Sequence, residues 1–198
     1  MKVDLQKSFP LPASRDVAWL FLQNIEAVAQ CMPGAKITER IDDTHFKGTV
    51  NLRVGPVTMA FRGEVEVKAI DPATRTLHLV GRGTDSTGTS GASMDLNARI
   101  EATGASSNLV GVSSVSMSGK AAAFGGRMMN SVADRVLNQF ADNFALQVAA
   151  LEAQQASASS AAPAVAAAPP MSQELNGLNL VWVIVKDWLR TLFSNKAA

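Results

Sequence analysis

Between Gly34 and Ser118 the chain alternates apolar and polar residues with a period of two. In the stretch HFKGTVNLRV, one set of alternate positions is apolar or glycine and the other set is polar. This pattern is typical of a β-strand that turns one face to a core and the other to water. Gly55-Pro56 and Asp71-Pro72 are turn sequences between such segments. The alternation therefore predicts a meander of about six antiparallel strands.

Other elements flank this meander. A first strand precedes it and is followed by a helix that Ser14 can cap and by a second short helix that ends near Met32. A long helical pattern follows the meander, from Lys120 to about Glu152. A curved sheet with one apolar face needs a cover, so we predict an α+β domain over residues 1–151 in which the sheet wraps around the long helix. The apolar side of that helix consists of Phe124, Met128, Val132, Val136, Phe140, Phe144 and Leu151.

Some inward positions of the predicted sheet are glycines, although a packed core would need larger side chains there. Gly48, Gly63 and Gly81 either allow the strands to bend or leave a hollow, and both interpretations can hold together. Methionine and phenylalanine at other inward positions suit a lipophilic ligand, although they also suit an ordinary core. Gly125-Gly126 either weakens the start of the long helix, which places the predicted mouth of the cavity there, or allows the helix to pack tightly on a strand. The candidate lining residues are Met32, Phe46, Met59, Phe61, Gly63, Leu79, Gly81, Met94, Leu96, Phe124, Gly125, Met128 and Val132.

Composition argues against several classes of function. The net charge is +1 and no block of Lys and Arg is present, so nucleic acid is not an expected partner. His45 and His78 have no Cys or carboxylate at metal-ligand spacing, and inward positions offer few ionisable groups, so we expect neither a metal site nor an enzyme. Cys31 has no cysteine to pair with, and we interpret it as a small buried hydrophobe, with a nucleophile as the alternative. The first residues lack the apolar core of a signal peptide, which predicts a cytoplasmic protein.

The C-terminal part of the chain differs from the rest. Residues 152–174 are rich in Ala, Ser and Pro, which predicts a disordered linker. Residues 175–198 place apolar residues at helical spacing, but the segment is too short and too charged to cross a bilayer. We predict an amphipathic helix that lies in the membrane interface, peripheral at the cytoplasmic face, with a groove on a partner protein as the alternative acceptor. The membrane-binding residues are then Leu178, Val181, Trp182, Val185, Trp188, Leu189, Leu192 and Phe193.

The element order resembles the helix-grip fold of the START/Bet v 1-like (SRPBCC) superfamily, whose members bind lipophilic ligands. Three segments are similar to segments of the carbon monoxide dehydrogenase G-subunit family: CMPG at 31–34, VGPVTMAFRGEVEV at 54–67 and FGGRMM at 124–129. The resemblance extends over residues 1–151. It implies a non-enzymatic accessory protein of an aerobic, molybdenum-containing dehydrogenase, involved in the membrane association of that enzyme and in its exchange of electrons with quinone.

Two functions of different classes follow. In the first, the domain is a membrane-tethered carrier that binds a lipophilic respiratory quinone, menaquinone or ubiquinone, and links carbon monoxide dehydrogenase to the quinone pool. In the second, the domain is an adaptor that recruits the dehydrogenase to the membrane and has no small-molecule ligand.

Overall fold

The computed structural model describes residues 1–54 and 57–160 of the chain. The predicted terminal helix and most of the predicted linker lie outside these residues. No helix among the described residues is both long enough and apolar enough to span a bilayer. In chain order, the elements are β1 (Lys2–Leu11), α1 (Arg15–Leu22), α2 (Ile25–Cys31), β2 (Ala35–Arg40), β3 (His45–Val54), β4 (Val57–Asp71), β5 (Thr76–Asp85), β6 (Ser90–Thr103), β7 (Ser106–Gly119), a 3-10 helix (Lys120–Phe124) and α3 (Gly126–Ser160).

The strands form one seven-stranded antiparallel sheet in the order β1-β7-β6-β5-β4-β3-β2. Strands β2 to β7 are the predicted meander, and β1 returns to pair with β7 from Lys2↔Ser116 to Leu11↔Ser107. Ser14 caps α1 as predicted, its hydroxyl accepting a hydrogen bond from the Val17 N–H at 3.5 Å. With α3 packed against β1 and β3, the predicted α+β helix-grip fold is confirmed.

Small residues form a row across four neighbouring strands on the concave face. Gly48 pairs with Gly63, Gly63 with Gly83, and Gly83 with Ala92. We call these four residues the glycine row. A Cβ at Gly63 would lie 2.1 Å from the Arg82 carbonyl oxygen, and one at Gly48 would lie 2.8 Å from that of Lys36. Adjacent backbones therefore approach too closely for a side chain, and this approach allows the sheet to curl.

The two interpretations of the inward glycines are now separated. Gly48 and Gly63 permit curvature, because neighbouring backbone occupies the space that a side chain would need. Gly81 lies outside the glycine row, and a Cβ there would meet no atom closer than the Met94 Cε at 3.6 Å. Space is therefore left at Gly81 and not at Gly48 or Gly63.

The hydrophobic core lies between one half of the concave face, the short helices and the C-terminal half of α3. Phe144 is fully buried and packs edge-on against Phe21 of α1, with ring centroids 4.9 Å apart. Polar contacts join the same elements: Asn143 Nδ2 donates to the Cys31 carbonyl oxygen at 2.9 Å, and the Ser14 N–H and hydroxyl both donate to Glu152 at 2.9 Å. These contacts attach the end of α3 to α1 and α2.

The start of the long helix differs from the prediction. Residues Lys120–Phe124 form a separate 3-10 helix, and Gly125 follows with a φ of 75° before α3 begins at Gly126. Because Phe124 belongs to the separate turn, it does not set the rotational phase of α3. Met129 is consequently buried at 6% exposure, whereas Met128, predicted on the inner side, is 42% exposed.

The end of the long helix also differs from the prediction. α3 continues to Ser160, so residues 152–160 of the predicted linker are helical. Alanine and glutamine in this segment are strong helix formers, and the first proline comes only at Pro163. The remainder of the linker stays a prediction.

The role of Gly63 in bending the sheet can be tested with alanine. Gly63→Ala places a Cβ 2.1 Å from a backbone oxygen, so we expect a loss of about 1–3 kcal/mol in the free energy of unfolding. Gly81→Ala is the matched control: its Cβ fits, and the stiffer unfolded chain should leave stability unchanged or raised by about 0.4–1 kcal/mol. Urea denaturation followed by circular dichroism measures both. Equal effects in the two variants would contradict this role of Gly63.

Candidate functional site

The concave face is packed at one end and open at the other. Phe46, Leu77 and Ile100 belong to the packed end and are at most 3% exposed. Beyond them, toward the glycine row and the start of α3, the apolar side chains on the same face are only half-buried. We call this half of the concave face the open end. Its half-buried apolar residues are Val3, Val50, Leu52, Met59, Phe61, Val65, Met94, Val115 and Met117.

An open depression of about 580 Å³ crosses β4, β5, β6 and β7. Eight of its twelve lining residues, among them Arg62, Glu64 and Arg82, are at outward-facing positions, so it lies mainly on the outer face of the sheet. It is lined by residues 62–64, 82–84, 91–93 and 116–118. Of the predicted lining residues, only Gly63 contributes to this depression. Gly83, Ala92 and Met117 were not among the sequence-predicted residues, although their alternation with exposed neighbours was visible.

The start of α3 stands at the same end of the sheet. Gly119 ends β7, the Lys120 N–H donates to the Thr89 carbonyl oxygen, and the chain then enters the 3-10 helix. Gly125 and Gly126 are exposed, and a Cβ at either would meet no atom within 4 Å. The first turn of α3 is therefore loosely enclosed, at the place where the cavity mouth was predicted.

The predicted lining residues fall into three groups. Phe46 and Leu79 belong to the packed core, at 3% and 8% exposure, and Met128 lies at the surface. Met32 is the C-cap residue of α2. The third group is half-buried and lies on or beside the open end: Met59, Phe61, Gly63, Gly81, Met94, Leu96, Phe124 and Val132. Gly125 lies next to this group and is exposed.

Sequence reasoning missed Lys7, which the register of β1 places on the concave face. Its Nζ lies 2.8 Å from Asp134 Oδ1 of α3, with both side chains partly exposed. Lys7 shares the spacing of the apolar residues of β1, so the signal was present but was hidden by its charge. The ion pair joins the edge strand to α3 at the boundary between the packed and open ends.

The polar residues singled out in the sequence lie away from the open end. Cys31 is 2% exposed, and burial raises the pKa of its thiol. His78 faces solvent, with Nε2 3.0 Å from Asp95 Oδ1. Among residues 1–54 and 57–160, no group of three or more His, Cys, Asp or Glu side chains could hold a metal ion.

Asp85 is the carboxylate that the register places on the inner side of the open end. Hydrogen bonds from the Thr87 hydroxyl and the Ser90 N–H hold the pKa of Asp85 below its usual range. The carboxylate is therefore ionised at neutral pH, and its hydrogen bonds stabilise the β5–β6 turn. What remains of the open end is an apolar concave surface suited to binding.

The family model of CoxG, the carbon monoxide dehydrogenase G-subunit, matches residues 8–149. The chain belongs to this family. The CoxG match extends from β1 into α3 and includes the glycine row and all the listed apolar residues of the open end except Val3. No curated protein sequence matches the chain.

Solved structures share the fold of this CoxG protein. A conserved protein from Geobacillus kaustophilus has a TM-score of 0.67 at 21% identity, covering 74% of this chain and 95% of that chain. The Zhui aromatase/cyclase from Streptomyces sp. R1128 has a TM-score of 0.53 at 14% identity, covering 75% and 94%. A START superfamily protein from Mycobacterium smegmatis has a TM-score of 0.51 at 19% identity, covering 75% and 98%. The START/Bet v 1-like fold of the chain is thereby confirmed.

The buried state of Cys31 makes its thiol a poor nucleophile. A raised pKa lowers the thiolate fraction at neutral pH, and burial blocks access to reagents. We expect Ellman's reagent to react with the folded protein at least about 100-fold more slowly than with the unfolded chain, because reaction requires local opening. Absorbance of the released thiolate follows both reactions. Equal rates would show that Cys31 is accessible and reactive.

Proposed function

We propose that this CoxG protein is a non-catalytic accessory protein of an aerobic, molybdenum-containing carbon monoxide dehydrogenase. In this role it binds a lipophilic respiratory quinone at its open end and links the dehydrogenase to the membrane quinone pool. The observation that carries the proposal is the half-buried apolar lining of the open end. Family membership supports the dehydrogenase as the partner.

The open end fits the chemistry of a quinone. Its half-buried lining consists of aliphatic, methionine and phenylalanine side chains, which resembles the mostly apolar sites that bind small molecules. Methionine and phenylalanine, as at Met94 and Phe61, adapt to an isoprenoid chain of varying length. Each buried CH₂ of such a chain contributes about 0.8 kcal/mol. Menaquinone and ubiquinone are the candidate ligands, and the lining supports both.

A carrier would give a water-soluble enzyme access to a quinone that does not dissolve in water. A respiratory quinone stays in the bilayer, so an enzyme without a membrane domain reaches it only through a component that contacts both. The predicted interfacial helix, with Trp182 and Trp188 at headgroup level, supplies the membrane contact at the cytoplasmic face. The domain then takes up the quinone and presents it to the bound dehydrogenase.

The START-like fold also carries enzymes, as the aromatase/cyclase shows. Our proposal is non-catalytic because the inner side of the open end presents apolar side chains and the turn-bound Asp85. A proton-transfer group would need a pKa near neutrality, whereas that of Asp85 is lowered.

The second candidate function is an adaptor without a small-molecule ligand. Its specific support is that Phe46 and Leu79 are buried in the packed core and that Gly48 and Gly63 permit curvature instead of making room. The domain would then bind only the dehydrogenase, and the tail would hold the complex at the membrane.

Quinone binding can be tested by titrating the full chain with short-tailed menaquinone and ubiquinone analogues in a calorimeter. Gly81→Leu should fill the space beside Met94 and lower the affinity at least about tenfold, with an unchanged far-UV spectrum. Val112→Leu adds bulk on the opposite face of the sheet, where Val112 is 42% exposed, and should leave the affinity unchanged. An absence of saturable binding by the unmodified chain would reject the carrier and leave the adaptor.

The membrane role of the tail can be tested by truncation after Ser160. The core residues that the structure describes lie between Leu11 and Leu151, so we expect the shorter chain to stay folded. We expect it to lose sedimentation with zwitterionic vesicles, because the predicted apolar anchor is missing. The double variant Trp182→Glu/Trp188→Glu should behave in the same way. Unchanged binding to these vesicles after truncation would refute the anchor.

A further inference from the structure

Positive charge is concentrated on the rim of the open end. The chain segments that form this rim are residues 1–4, 48–53, 57–64, 82–93 and 115–133, which include the ends of neighbouring strands and the start of α3. Their three carboxylates are Asp4, Glu64 and Asp85; Lys2 Nζ lies 3.4 Å from Asp4 Oδ1, and Glu64 lies opposite Arg82 in the sheet. Because the net charge of the whole chain is +1, the rest of the chain is correspondingly acidic. The cationic residues in the rim segments are Lys2, Arg53, Arg62, Arg82, Lys120 and Arg127.

Two of these cations lie directly beside the predicted mouth. Lys120 opens the 3-10 helix and Arg127 lies in the first turn of α3, and both are exposed. The carboxylate of Asp85 is bound by Thr87 and Ser90, and that of Asp134 by Lys7. These two carboxylates therefore have partners of their own.

Exposed apolar side chains accompany the cations. Met128 follows Arg127 and is 42% exposed, and Val57 at the start of β4 is also 42% exposed. Both lie in the rim segments, whose small and apolar residues otherwise face inward. The rim thus combines exposed cations with exposed apolar side chains.

We infer that the rim of the open end is itself a membrane-contacting surface that docks onto an anionic lipid bilayer. Lys120 and Arg127 contact headgroup phosphates, while Met128 and Val57 enter the headgroup region. A cation close to an anionic bilayer contributes about 1 kcal/mol. A domain with separated positive and negative ends also orients in the field of such a surface, with its positive end toward the lipid.

The shape of the charge distribution favours a bilayer over a protein partner. Arg62 and Arg82 line the depression across β4 and β5, whereas Lys120 and Arg127 are exposed on the 3-10 helix and the first turn of α3. Exposed cations next to the exposed Met128 match a flat surface of mobile anionic headgroups. The inference concerns the rim and does not depend on what the concave face binds, so a failed quinone titration would leave it intact.

The first experiment uses charge reversal in the full chain. Lys120→Glu/Arg127→Glu should lower the affinity for vesicles of phosphatidylcholine with phosphatidylglycerol at least about 30-fold, since about 1 kcal/mol per cation is lost. Affinity for pure phosphatidylcholine vesicles, which the tail binds, should stay unchanged. Arg99→Glu/Arg135→Glu changes the net charge equally at positions outside the rim and should have less than about a threefold effect. Equal losses in both double variants would overturn the inference.

The second experiment reports contact directly. A polarity-sensitive fluorophore is attached to the full chain at Met128→Cys, while the native Cys31 is buried. Its emission should shift to the blue on anionic vesicles, whereas the same label at Leu146→Cys, 70% exposed farther along α3, should not shift. No shift at position 128, or equal shifts at both positions, would overturn the inference. If the charge-reversed rim kept its vesicle binding but lost binding to purified dehydrogenase, the rim would be a protein-docking surface instead.

Discussion

The close approach of the β4 and β5 backbones at Gly63 is the contact on which the rest of the fold depends. With the Arg82 carbonyl oxygen 2.1 Å from the position of a Cβ, only glycine can occupy this site. Gly48 and Gly83 extend the approach to the neighbouring strands. The resulting curl makes a concave face, and a concave face can both hold a helix and leave space beside it.

The packed end and the open end of the concave face have different roles. At the packed end, α1, α2 and the C-terminal half of α3 cover the sheet, and the buried Phe144 and Ile100 supply apolar contacts that stabilise the fold. At the open end the covering helices are replaced by the start of α3 alone, where Gly125 interrupts the helix. The Lys7–Asp134 ion pair lies between the halves. Stability is thus concentrated away from the surface that we propose for binding.

Local patterns predicted most of the fold and less of the site. Alternation is a local property, so the sequence alone assigned the inner and outer faces of β3 to β6 and the cap at Ser14. The role of Gly63 depends on which residue lies opposite on the next strand, and no local pattern contains that information. Met128 was assigned to the wrong face because the phase of α3 is set after Gly125. The residues beyond Ser160 remain a matter of prediction.

The length of α3 separates the two ends of the domain. Its 35 residues span about 52 Å, from the first turn at the rim to Ser160. Near the far end of α3, Glu152 accepts two hydrogen bonds from Ser14 at the packed end of the sheet. A partner or surface that contacts only the rim is therefore held the full length of this helix away from Ser160, and α3 acts as a spacer between them.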